Sequence, residues 1–330
     1  MKKRYIVFGA LVLGCLLFAL VLGGARRSIT RENMRDFAAE TFRGDSEIRY
    51  AQLAAYLTED AHLTPDGVMG LRQTLADALT EASFDAEKYR LVASAEQNVA
   101  ITRGTLTVEA VATVYFGDWF GLHPQVPLHG GFLRESAATT DFCVIDDQAA
   151  WRLFGATDVC GMDVTIDDHI YTVSAVTRAD RGKYAEFYGE KPRIYLLYSS
   201  AAMRERRVTF TTLEALLPDP YTDAAKTMFA DAVAGYTEEV LAVTDRFSVT
   251  SLYDNVLGLT HLGVMEGKTY PYYENAARVM ETKCAILLAF ETTFYTLACL
   301  FFATLCILIW LPLSASLREK RLAKKRHAIY

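Results

Sequence analysis

The sequence predicts an α+β extracytoplasmic domain held between two transmembrane helices. Three observations carry that expectation. Tyr5 to Gly24 is a run of twenty residues without a charge, enough to cross a hydrocarbon core of about 30 Å as a helix. A second apolar stretch, Cys284 to Leu313, contains a single charge, Glu291. Between the two, short alternating segments rich in Val, Thr and Tyr mix with apolar residues at helical spacing, the pattern of strands and helices sharing one core.

Charge sets the expected topology. MKKR precedes the first apolar run and REKRLAKKRH follows the second. Basic residues beside a span stay cytoplasmic, so residues 1–4 are expected inside, 5–24 across the membrane, 25–290 outside, 291–313 across again, and 314–330 inside as a basic tail. The best window of the second span is about Thr293 to Leu313, with Glu291 facing headgroups at the outer edge and Trp310 near the inner one. A cleaved leader is the alternative for the first run, with Gly23-Gly24-Ala25 as its cleavage site. The run is longer than such leaders usually are, which favours an anchor. The two ends carry +3 and +5 of a total of −6, leaving −14 for the rest. So acidic a domain is a poor partner for nucleic acid or anionic lipid.

The elements follow in order. Residues 28–43 read as a polar helix leaving the membrane, and 49–57 as a strand. Thr64-Pro65 opens a helix, Thr as N-cap and Pro in the first turn, with Val68, Leu71, Leu75 and Leu79 on its core face. Residues 89–116 read as two or three strands turning at Arg103-Gly104, and 119–133 as a Gly- and Pro-punctuated loop. Phe142 to Ile145 is a short strand. Asp146 caps a helix whose Ala149, Ala150, Leu153 and Phe154 share a face, and Gly155 closes it in the left-handed conformation. MDVTI, an Asp-Asp-His turn and IYTVSAV form a hairpin. Strands are expected at 193–198 and 207–216. Thr222 caps a helix with Met228, Phe229 and Val233 on its core face. Residues 239–253 look strand-like. A last helix from about Tyr272 runs without a breaker into the second span, a continuity that would couple movement of the domain to the membrane. An insert of this size has room for two subdomains.

GVMEGKT, Gly263 to Thr269, resembles a phosphate loop, but Gly263 is one residue too close to Gly267-Lys268; a surface turn is expected. His123 and His129 have no metal spacing and read as loop histidines. There is no GxSxG elbow and no CxxC. Asp146 and Asp147 are neighbours on a strand-to-helix junction and point apart, whereas a general acid–base pair must face across about 5–9 Å. No catalytic, cofactor or metal residue is therefore assigned, and no enzyme activity is expected. Of six cysteines, Cys15, Cys299 and Cys306 lie in the spans and Cys284 at an edge. Cys143 and Cys160 lie outside, where a disulfide between them is permitted; two small buried thiols are the equal alternative.

The order strand, acid, Ala-rich turn, Leu-Phe-Gly, then a Gly opening a hairpin resembles the extracytoplasmic core domain of MacB-type ABC transporter permeases. The residues are VIDDQAAWRLFG with Asp146, Ala150, Leu153, Phe154 and Gly155, then Gly161, VTI and YTVSAV. VYFGDWFGL and LHGGFL upstream and RIYLLYSSA downstream extend the resemblance over about residues 105–200. The pattern is moderately specific, since most of its residues pack. Ala175 stands where the family usually has Gly. The resemblance implies a non-enzymatic permease subunit in the cell membrane. It would work with a cytoplasmic ABC ATPase and further permease chains as an oligomer or hetero-oligomer, in export or transenvelope signalling. That family normally adds a cytoplasmic loop and two more spans after the second; here the sequence continues only as Ser314 to Tyr330. Arg318, Lys320, Arg321, Lys324, Lys325 and Arg326 are candidates for a cytoplasmic contact, or simply the topology signal. A membrane-tethered binding or scaffold module without transport is the second reading.

Overall fold

The computed structural model describes residues 2–32, 38–85, 88–132, 141–179, 188–221, 223–237, 239–257 and 270–327. The Thr222 cap and GVMEGKT lie outside them. Two compact units result: Met1–Glu32 with Phe247–Leu262 and Met280–Tyr330, and Asn33–Arg246 with Gly263–Val279.

The larger unit is built on one sheet of ten strands. They are β1 (Tyr50–Tyr56), β2 (Arg90–Arg103), β3 (Leu106–Phe116), β4 (Pro127–Gly130), β5 (Phe142–Asp146), β6 (Asp163–Ile166), β7 (His169–Thr177), β8 (Arg193–Leu197), β9 (Thr212–Pro218) and β10 (Leu241–Ala242). The order is β10-β1-β9-β2-β3-β8-β5-β7-β4, with β6 pairing β2 and β7. Most pairs are antiparallel; β3–β8 and β5–β7 are parallel. One sheet runs through the whole unit. The reason is β2, whose fourteen residues pair β3 from Ala93 to Arg103, β9 at one end and β6 at the other.

Alternation along the strands gives the sheet two apolar faces. Ala93, Val114 and Ile145 point to one, where Leu71, Leu75 and Leu79 of α3 (Pro65–Glu81, following α1, Lys2–Glu32, and α2, Ala38–Arg43) and Phe229 and Val233 of a later helix (Ala224–Val233) pack. Val92, Tyr115, Val144, Tyr195 and Leu216 point to the other. The α3 start is as the sequence foretells, with Thr64 accepting from the Gly67 N–H and Pro65 in the first turn.

Several local expectations are corrected. Residues 119–133 hold a short helix, α4 (Trp119–Leu122), as well as strand β4; Asp118 accepts from the Gly121 N–H and so caps a turn that the Gly and Pro residues disguise. Strand β9 begins at Thr212 rather than 207, because Ala201–Arg206 is helical and ends at Arg207 in the left-handed conformation. In 239–253 only Leu241–Ala242 is strand; Val249–Leu257 is a helix, since Ser248 Oγ accepts from the Ser251 N–H at 3.1 Å and caps it against its β-branched residues.

The smaller unit contains the two apolar helices, α1 (Lys2–Glu32) and most of the long helix Tyr272–His327. Both are long and apolar enough to cross a membrane, and the chain is a membrane protein with a folded domain between its spans. Within this unit the helices touch along their length: Phe18 on Phe294 with ring centroids 4.9 Å apart, and the Tyr5 hydroxyl donating to the Leu308 carbonyl at 3.3 Å. Glu291 is largely buried between the two helices rather than turned outward. It accepts from Arg26 Nε at 3.1 Å, with both side chains largely buried, and it lies against Gly23, where a Cβ would meet its carboxylate at 2.8 Å. The small residue lets the acid in, and the ion pair satisfies a charge that lipid cannot.

Candidate functional site

Both acids of the Asp146-Asp147 pair are held by hydrogen bonds. Asp146 closes β5 and starts the helix Asp147–Phe154. Its Oδ1 accepts from the Ala149 N–H at 2.7 Å, and its Oδ2 from the Tyr188 hydroxyl at 2.9 Å and the Arg193 N–H at 2.8 Å. Burial raises its carboxyl above the usual range, against the pull of those three bonds. Asp147 turns away and accepts from the Ala179 N–H at 2.9 Å. Ala149, Ala150 and Leu153 are buried, Phe154 carries the Arg103 guanidinium 4.3 Å over its ring, and Gly155 ends the helix at φ 69°. Gly161, at φ 83°, donates its N–H to the Val173 carbonyl and opens the hairpin. The left-handed backbone explains why both positions hold Gly. The six fingerprint residues thus form one strand–turn–helix–hairpin unit. Cys143 and Cys160 are both free thiols, Cys143 buried so that its thiol is pushed far above its ordinary range. Arg318 and Lys320 are exposed on the long helix; the side chains of Arg321, Lys324, Lys325 and Arg326 lie outside the described residues.

The densest polar chemistry lies elsewhere, in YPYYENAAR, the first turns of the long helix. Pro271 precedes the helix, and three consecutive residues then reach three different parts of the second sheet face. Tyr272 receives the Arg193 guanidinium, 3.9 Å over its ring, while Arg193 Nη1 donates to Glu96 at 2.6 Å. The Tyr273 hydroxyl donates to Glu214 Oε2 at 3.1 Å. That same oxygen lies 2.6 Å from His123 Nε2, and the His123 ring sits between those of Trp119 and Tyr273, each centroid 4.5 Å away. Glu274 accepts from the Tyr56 hydroxyl at 2.9 Å, Arg246 Nη2 at 2.6 Å and Arg278 Nε at 2.8 Å. Arg278 in turn lies 4.0 Å over the Tyr270 ring. Burial, with the Glu274 charge behind it, pushes the Tyr56 phenol well up.

His123 lies in the bend after α4, as a loop histidine would, but it is not solvated: it is 1% exposed and paired with an acid that is 2% exposed. Sequence reading reached the start of this helix but not its partners. The one signal was the three tyrosines and an acid beside a proline. Charge-assisted, desolvated bonds of this kind are stronger than neutral ones, and removing one partner of a buried pair costs about 3–5 kcal/mol. The helix root is a joint, fixed by charge in a dry setting. Among the described residues no group of three or more His, Cys, Asp or Glu is placed to hold a metal.

No family model and no curated protein matches the chain. Solved structures do. The extracellular domain of the ABC-type transporter YknZ from Gram-positive bacteria is 14% identical, with 59% of this chain and 99% of that one covered and a TM-score of 0.42. The periplasmic region of MacB from Actinobacillus actinomycetemcomitans is 12% identical, with 65% and 94% covered and a TM-score of 0.45. The chain is similar to both, the kind of domain that its fingerprint resembles.

Proposed function

We propose that the chain is a permease-like membrane subunit that couples a cytoplasmic ABC ATPase on another chain to movement of its extracytoplasmic domain, in export or transenvelope signalling. One observation carries the reading: the helix that continues as the second apolar span begins at a root tied to the sheet by Tyr272, Tyr273 and Glu274. A helix held at its base by buried ion pairs is suited to passing on a displacement rather than absorbing it. The fingerprint of residues 142–176 and the basic flanks of both spans support the same reading, with both ends of the chain inside and residues 25–290 outside. The ATPase supplies the energy; this chain supplies the lever. Arg318 to Arg326 are the first candidates for its cytoplasmic contact, and further permease chains complete the assembly.

The test is a mild-detergent pull-down of the tagged full-length chain with mass spectrometry of what remains bound. Recovery of an ATPase polypeptide is expected, and its loss when Arg318, Lys320, Arg321, Lys324, Lys325 and Arg326 are exchanged for Gln. Recovery of envelope or surface proteins alone would overturn the coupling reading in favour of a tethered module.

A further inference from the structure

The second face of the sheet also carries a cavity of about 420 Å³ with several hydroxyls in its lining. Its floor follows from strand register. Ser94 pairs with Thr212 and Glu96 with Thr113, and residues two apart on β2 share a face, so all four side chains converge. Thr209, Thr211 and Gln97 add polar groups to the lining, and Tyr273 and Pro271 close one side.

The hydroxyls here are unusual. Ser94, Thr113 and Thr212 are only 4%, 3% and 2% exposed. Among the described residues none of the five Ser and Thr hydroxyls in the lining has a hydrogen-bond partner. Nor do they belong to the sealed, unpartnered polar atoms of the interior, so their oxygens open onto the cavity. Buried hydroxyls without a protein partner are costly, and the three buried ones around this cavity, with Thr209 and Thr211 half-buried beside them, amount to a prepared lining. The Glu96 carboxylate in the lining is matched by Arg193 at 2.6 Å, so the lining offers no bare acid to a cation. What it offers is a set of groups that each donate and accept, beside one aromatic ring, in a volume within the usual range for small-molecule sites.

We propose that this cavity binds a neutral polyhydroxylated ligand, a mono- or disaccharide. Sugar hydroxyls donate and accept in turn as Ser and Thr do, and the apolar face of a pyranose suits a tyrosine ring. The proposal stands whether or not the helix root transmits movement.

The test uses the full chain in lipid nanodiscs, free of glycoside detergent, with N,N′-diacetylchitobiose and cellobiose as probes and saturation-transfer NMR as readout. L-arginine and trialanine serve as charged and peptide controls. Transfer is expected to at least one of the two disaccharides and to neither control. In the Thr113→Val/Thr212→Val variant the affinity should fall about tenfold, the loss of one or two hydrogen bonds. Its melting temperature should hold or rise, because the lost hydroxyls have no protein partner. If that variant fails to fold, Ser94→Ala takes its place. Absence of transfer to either sugar at about 10 mM, transfer unchanged in the variants, or transfer to a control alone would each overturn the assignment.

Discussion

Asp146 and Glu274 are both buried acids, and they are held in opposite ways. Asp146 meets only neutral donors, two backbone N–H groups and a tyrosine hydroxyl. Two of the three come from within about fifty residues of chain, and the third is the N–H of its own helix. Glu274 meets two guanidinium groups and a tyrosine from β1, 218 residues away. The first arrangement builds a local turn and leaves the carboxyl easier to protonate. The second joins distant parts of the chain through charge. A fold uses the former where shape alone is needed and the latter where one element must be fixed to another.

The contrast can be broken from its stronger side first. Glu274→Gln removes the carboxylate to which Arg246 and Arg278 both donate, and the unfolding free energy of the full chain in nanodiscs should fall by about 3–5 kcal/mol, read by denaturant titration. Asp146→Ala removes a cap and orphans two donors, and should cost less, about 2–4 kcal/mol in the same assay.

The pH dependence sharpens the comparison. Asp146 titrates above its unfolded value when folded. Its contribution is therefore full below the ordinary carboxylate range and is lost as pH rises through the raised value. Asp167 runs the other way. Its Arg206 partner lowers its carboxyl, so that contribution is present above the ordinary range and lost as pH falls through the lowered value. Melting curves measured above about pH 4 should decline less with pH in Asp146→Asn than in the wild type. A parallel decline in both would rule out Asp146 as the source.

The smallest effect belongs to the Asp167–Arg206 pair itself, whose side chains are 34% and 29% exposed. Arg206→Gln should cost about 0–1 kcal/mol and show less difference from wild type at high salt. A loss as large as that of Glu274→Gln would mean that exposure does not separate the two kinds of pair.

Why one acid was legible and the other not is a matter of range. The Asp146 turn is written in consecutive residues: an acid three before the N–H it caps, apolar residues on one helical face, a Gly to close. The same locality made Thr64-Pro65 and the Arg103-Gly104 hairpin readable. The helix root depends on pairs such as His123 with Glu214 and Tyr56 with Glu274, 91 and 218 residues apart, for which no spacing rule exists. The cavity hydroxyls were hidden for a related reason. Ser94, Thr113 and Thr212 look like ordinary strand residues until register sets them side by side. Glu291 was misjudged because only packing reveals that Gly23 leaves room for it beside Arg26.

Coupling through the long helix requires its root to be fixed to the sheet. Hydrogen–deuterium exchange of the amides of residues 274–279, in the full chain in nanodiscs, tests that directly. The account predicts protection comparable to that of β2 and β9, lost in Glu274→Gln while the two strands keep theirs. Rapid exchange of these amides in the wild type, as in a frayed helix end, would contradict it.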